Sequence, residues 1–206
     1  MDSVTILGVI FDSTLSWRQQ SMKIIRKCFA MLAHLRRNFL YIPMTIRKRV
    51  VQNLIFPCFD YYSALYTDMP ETVVIKLQRV QNACICFVTG SGKFEHITPI
   101  YKELNILKLK DRRTVALASL LSVVRNKTPA YLYNRLTFKS DIYSRQMRAN
   151  ARNLHIPNHK TDKFHNSFSI IACRVWNYLN LANYTSVRVD TVKAKDNGTS
   201  SKLILK

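Results

Sequence analysis

Acidic residues are what this sequence has least of. Twelve Asp and Glu stand against 32 Lys and Arg in 206 residues, a formal net charge of +20 with a pI near 10.1. Such an imbalance surrounds a protein with a positive field that attracts polyanions. A solvated basic surface with no dedicated partner, or a ribosome-like packing role, is the blander reading of the same number. Glycine is scarce too, with four residues, and proline contributes six. That excludes a low-complexity chain, and it argues against an all-β fold, which needs many tight turns. No apolar run approaches the roughly 20 residues of a membrane span, so no membrane contact is expected. The N-terminus has no basic segment followed by an apolar one, so no secretory signal is read there.

The five cysteines, Cys28, Cys58, Cys84, Cys86 and Cys173, are odd in number and form no Cys-x-x-Cys pair. Cys84-Ile85-Cys86 has the wrong spacing for zinc. All five sit among apolar neighbours, as small buried hydrophobes of a reducing compartment do. The expected location is therefore intracellular, in nucleus or cytoplasm. His155, His159 and His165 with Cys173 match no metal-ligand pattern either. Neither a metal nor another cofactor is expected.

Catalytic patterns are equally missing. Two-metal nucleotidyl transfer needs converging carboxylates, and the chain has no Asp-Asp pair. Phe59-Asp60-Tyr61-Tyr62 offers a single carboxylate just after Pro57. There is no HExxH, Walker A or GxSxG motif. Gly90-Ser91-Gly92 lacks the Lys-Ser/Thr of a phosphate loop and reads as a helix cap and turn. No catalytic residue is assigned.

What the chain does have is helical periodicity. Residues 17–40 place Met22, Ile25, Phe29, Leu32, Leu35 and Phe39 at three- and four-residue steps, with Ile24, Cys28, Met31 and Leu40 widening the stripe. A second helix starts at Thr45, with Ile46, Val50, Leu54 and Ile55 inward, and Pro57 is expected to end or kink it. A third runs over 71–88 on Val73, Leu77, Val80, Cys84 and Phe87. Thr98-Pro99 and Thr128-Pro129 are start signals for helices near 98–104 and 130–136. A longer helix covers 110–125, and a last one 166–181. The aromatic connector at 59–66 is expected to pack between helices, with base stacking as the alternative. Residues 137–163 break the pattern as a small basic loop or β region. Ahead of all this, Val4 to Phe11 reads as one isolated strand, with Gly8 as a bulge or close approach and Ser16 as the following N-cap.

From Ser13 to Phe59 there is no acidic residue, while nine are basic. A merely solvated helical surface would mix signs so that its charges pair. A one-sign surface repels itself unless something anionic lies against it. The expected phosphate contacts are Arg26, Lys27, Arg36, Arg37, Arg47, Lys48 and Arg49, with Arg145, Arg148 and Arg152 as a second group.

Several segments together resemble a known family. Leu7-Gly8-Val9-Ile10-Phe11-Asp12-Ser13-Thr14-Leu15-Ser16-Trp17 is similar to the segment that closes the palm and enters the thumb in non-LTR retrotransposon reverse transcriptases of the jockey and I-element type. Leu77-Gln78-Arg79-Val80-Gln81-Asn82 resembles their Leu-Gln-Arg-hydrophobic-Gln-Asn helix. Leu107–Arg113, Thr128-Pro129-Ala130-Tyr131-Leu132, and Val175-Trp176-Asn177 follow in the family's order. The family's Leu-Pro after Trp-Asn is here Leu179-Asn180-Leu181, a departure that suits a decayed or truncated copy.

The resemblance implies a mostly α chain: a palm-edge remnant at 1–17, a thumb-like helical bundle at 18–70, a helical C-terminal region with basic loops at 71–182, and a flexible tail at 183–206. It implies binding of template–primer or RNA, in concert with the remainder of an RNA-directed DNA polymerase that carries the catalytic aspartates. Two alternatives stay open: a polymerase by descent that works only with its palm, and a relic without function.

Overall fold

The computed structural model describes residues 3–92, 95–127, 129–142, 152–181, 192–194 and 203–205. They are mostly helical, with a small antiparallel sheet at the N-terminus. The chain divides into two compact units, Met1–Tyr61 with Met69–Lys110, and Tyr62–Asp68 with Asp111–Lys206. The third helix packs against the first two.

In the first unit the N-terminal apolar run is two strands instead of one. β1 (Ser3–Ile6) and β2 (Val9–Asp12) pair antiparallel, Ile6 opposite Val9 and Val4 opposite Phe11. Leu7 and Gly8 both have positive φ, 48° and 82°, which the two-residue turn of a right-twisted hairpin requires. Gly8 therefore serves a turn, not a bulge. Both turn carbonyls are held: the Tyr61 hydroxyl donates to Leu7 O (2.8 Å), and Lys23 Nζ to Gly8 O (3.1 Å). Only β2 is sheltered. Val9 is buried, whereas Val4 and Ile6 are more than half exposed.

The Asp12 carboxylate organises the next turn, accepting from Ser16 N (2.8 Å), Ser16 Oγ (2.7 Å) and Thr14 Oγ1 (2.8 Å). Ser16 is thus not the N-cap. That position falls to Trp17, buried and left-handed, whose ring meets Phe11 edge-on at 5.5 Å.

α1 (Arg18–Arg37) turns Ile24, Cys28 and Leu32 inward with the polar Gln20 and Ser21. Met22 and Phe29, expected inside, are partly exposed. Gln20 is buried because its side-chain oxygen accepts from Ile10 N (3.1 Å), closing the outer edge of β2.

α2 (Met44–Val50) passes into a π-helical turn (Val51–Ile55) and then α3 (Phe56–Asp60). Pro57 was expected to end or kink this helix. The chain stays helical because the wider turn absorbs the missing Pro57 N–H. The turn also shifts the register: Val51, Ile55, Phe56 and Phe59 become the core, while Ile46 and Leu54 face out.

α4 (Glu71–Thr89) buries the expected row together with Ile85 and Val88, and Gly90 caps it at φ 80°. α5 (Thr98–Glu103) follows, with proline in its first turn.

In the second unit, α6 (Leu109–Arg125) and α10 (Phe168–Leu181) supply Leu117, Leu121, Ala172 and Trp176 to a core that Leu154, from the segment between them, completes. α7 (Ala130–Tyr133), α8 (Lys139–Ile142) and α9 (Asp162–His165) are single turns. The β character expected near 137–163 is a bridge between Phe138 and Leu154. β3 (Val192–Ala194) and β4 (Leu203–Leu205) pair antiparallel.

Candidate nucleic-acid interface

The basic residues of α1 are placed by its buried side. With Ile24, Cys28 and Leu32 inward, Arg26, Ala30, Ala33 and Arg37 fall on one exposed row, at steps of four, three and four. Arg26 and Arg37 are eleven positions apart, about 16 Å along the axis. Two alanines between them leave a low surface that an extended anion can approach closely. Lys27 and His34 flank the row, both exposed. Arg36 is exposed but lies on the side of Cys84 and Cys86 of α4, whose thiols feel its charge.

Of the three bases on α2, Arg49 is exposed and Lys48 half-buried. Arg47 does something else. Its Nη1 donates to Phe87 O in the last turn of α4 (3.0 Å), and its guanidinium lies 4.1 Å from the centre of the Phe39 ring. Phe39 in turn meets Phe87 edge-on at 5.8 Å. A cation at a helix C-terminus satisfies a terminal carbonyl and the negative end of the dipole. Arg47 thus packs against the end of α4 while remaining half-buried. Its Nε is buried without a hydrogen-bond partner among the described residues.

Of the second basic group, Arg145 and Arg148 lie outside the described residues. The Arg152 side chain is exposed, while its carbonyl is clamped by Trp176 Nε1 (3.1 Å) and Asn180 Nδ2 (2.7 Å). Asn177 completes the clamp as a mimic of backbone. Its Oδ1 accepts from Leu154 N (2.7 Å) and its Nδ2 donates to Leu154 O (3.1 Å). The Trp-Asn pair is thus scaffolding that presents residue 152.

The Gln-Arg-x-Gln-Asn segment has the same character. Gln78 Nε2 faces Gln81 Oε1 (2.9 Å), Asn82 Oδ1 (3.0 Å) and the Tyr101 hydroxyl (3.0 Å). Gln78 Oε1 accepts from Leu109 N (3.2 Å), and Gln81 Nε2 donates to Leu107 O (2.8 Å). Burial pushes the Tyr101 phenol up, so it stays protonated and donates to Asn82 Oδ1 (2.8 Å). The network ties the 105–109 loop to α4, and only Arg79 of the segment faces solvent as a charge.

Among the described residues no group of three His, Cys, Asp or Glu could hold a metal. His159 and His165 touch each other, with Arg174 3.0 Å from His165, an arrangement of two imidazoles and a guanidinium. Burial raises Cys28, Cys86 and Cys173 above the ordinary thiol range and pushes Cys84 up to about 12. These thiols stay protonated and are poor nucleophiles. In the aromatic connector Phe59 and Tyr66 are buried, as the packing expectation has it, whereas Tyr61, which holds the hairpin turn, and Tyr62 are exposed. No helix among the described residues is long and apolar enough to cross a membrane.

Sequence reasoning missed the tip after α1. Periodicity places Leu40 on the buried stripe; in the structure it is 89% exposed, beside Tyr41 at 85%. Its only sequence signal is an apolar pair at the helix end, just before Pro43.

Comparison with known protein families, with characterised proteins and with solved structures finds no match to this chain.

Proposed function

We propose that this chain binds nucleic acid through its sugar–phosphate backbone, independently of sequence, as part of a non-LTR retrotransposon RNA-directed DNA polymerase. In this reading the catalytic aspartates belong to the rest of a longer, intracellular protein. The observation that carries it is the exposed Arg26–Ala30–Ala33–Arg37 row on α1, in a stretch of 47 residues from Ser13 to Phe59 without one carboxylate. Lys27, Arg36, Lys48, Arg49 and Arg152 add exposed or half-exposed charge. Long, exposed Arg and Lys side chains spread along a helix face are the donors that phosphate contact uses, which supports backbone binding.

The test is fluorescence anisotropy with a labelled blunt duplex across a salt series. Log affinity is expected to fall linearly with log salt, by about 0.9 for each phosphate neutralised. Charge reversal of Arg26 and Arg37 together is expected to weaken binding and flatten that slope. Affinity that ignores salt, or survives the double reversal, refutes the proposal.

A further inference from the structure

The turn that follows α1 is built to hold two apolar side chains in water. Phe39 points inward, pinned edge-on to Phe87 and covered by the Arg47 guanidinium. The turn is closed by Tyr41 N donating to Asn38 O (3.1 Å) and Ile42 N to Phe39 O (3.3 Å). With Phe39 anchored, Leu40 and Tyr41 have to face out. They are the two most exposed large apolar side chains among the described residues. The chain leaves them there directly beyond Arg36 and Arg37, at the end of the basic row on α1.

We infer that Tyr41 is a stacking platform for an unpaired nucleobase, with Leu40 packing beside it on the same strand. This inference rests on the backbone-binding reading and adds a residue, Tyr41, that would engage the single-stranded part of such a substrate. Every base offers a π-face, so an exposed aromatic ring beside a basic track recognises single strands without reading sequence. Charge chooses this occupant over an apolar protein surface, because the stretch that contains the tip, Ser13 to Phe59, carries nine basic side chains and no carboxylate. Two side chains are also too small an apolar area to seat a membrane segment or a large protein groove.

The experiment compares a blunt DNA duplex with the same duplex bearing a single-stranded overhang, for wild type, Tyr41→Ala and Tyr41→Phe. Tyr41→Ala is expected to lower affinity for the overhang probe about fivefold or more, the scale of a lost stack. It should leave blunt-duplex affinity and both salt slopes unchanged, since stacking releases no counterions. Tyr41→Phe keeps the ring and should retain wild-type affinity. A 2-aminopurine in the overhang should be quenched by wild type and not by Tyr41→Ala. Circular dichroism melting checks that the exposed substitution leaves folding intact. If Tyr41→Ala binds the overhang probe like wild type, or loses affinity equally for both probes, the inference fails while backbone binding stands. If wild type shows no salt-dependent binding to the blunt duplex, both fail. Concentration-dependent self-association that Tyr41→Ala abolishes, with nucleic-acid affinity unchanged, would assign the tip to a second copy and overturn the inference.

Discussion

Gln81 is the residue whose removal tests most directly how the first unit holds its loop. Its side chain is fully buried. It makes one bond out to Leu107 O and takes one in from Gln78. Replacing Gln81 by Leu keeps the volume and deletes both bonds. Two ordinary hydrogen bonds contribute about 2 kcal/mol, and the Leu107 carbonyl left without its donor costs about 1–3 kcal/mol if water cannot reach it. The more apolar leucine returns about 1–2 kcal/mol. The orphaned carbonyl decides the sign, and the net cost is about 2 kcal/mol. With a urea m-value of about 2 kcal/mol/M, the unfolding midpoint should fall by about 1 M. Gln78→Ala should also free the Leu109 amide that Gln78 Oε1 accepts, seen as faster hydrogen exchange at that one position. The double variant should cost less than the sum of the two singles, with a coupling of about 0.5–3 kcal/mol. Arg79, exposed between the two glutamines, is the control, and Arg79→Ala should stay within about 0.5 kcal/mol of wild type. A neutral or stabilising Gln81→Leu, with additive double-variant energies, would show that the network is idle and that packing alone holds the loop.

Two further outcomes follow from single side chains. Asn177→Asp turns an amide that donates to Leu154 O into a carboxylate facing that carbonyl, so it should destabilise the second unit more than Asn177→Ala, by thermal melting at neutral pH; equal losses would refute the backbone-mimic role. Hydrogen bonds from Ser16 and Thr14 hold the Asp12 carboxyl down at about 2, below its ordinary 3.8, so its stabilisation is complete above about pH 4 and is lost as pH falls through about 2. The melting-temperature gap between wild type and Asp12→Asn should therefore close between about pH 4 and pH 2, and a gap that persists at pH 2 would refute the turn assignment.

Much of the helical architecture is legible in the sequence because its signal is local. The α4 stripe of Val73, Leu77, Val80, Cys84 and Phe87 repeats on one face, and Gly90 ends it where a left-handed cap is needed. Thr98-Pro99 likewise opens α5. The errors are of two physical kinds. A π turn near Pro57 rotates the chain by a residue, which periodicity cannot foresee, so Val51 is core and Leu54 is not. Side chains of mixed character go wherever a partner is found. Gln20 is buried for the Ile10 amide, and Arg47 is half-buried against the end of α4. Leu7-Gly8 carries no standard turn dipeptide, so the hairpin stayed hidden inside a continuous apolar run.

The sequence by itself determined that this is a mostly helical chain, and that the helices from Ser13 to Phe59 carry charge of one sign. Composition and period need no knowledge of what packs where. Only the tertiary structure decided which charges reach solvent. Arg37 is exposed and Arg47 is half-buried, although both are arginines on adjoining helices, because the neighbour that faces Arg47 is a helix end with a carbonyl to give. By the same token Phe39 is anchored and Tyr41 is exposed two residues later. A one-dimensional pattern gives the supply of functional groups. Which of them meet water is set by long-range packing that no local window contains.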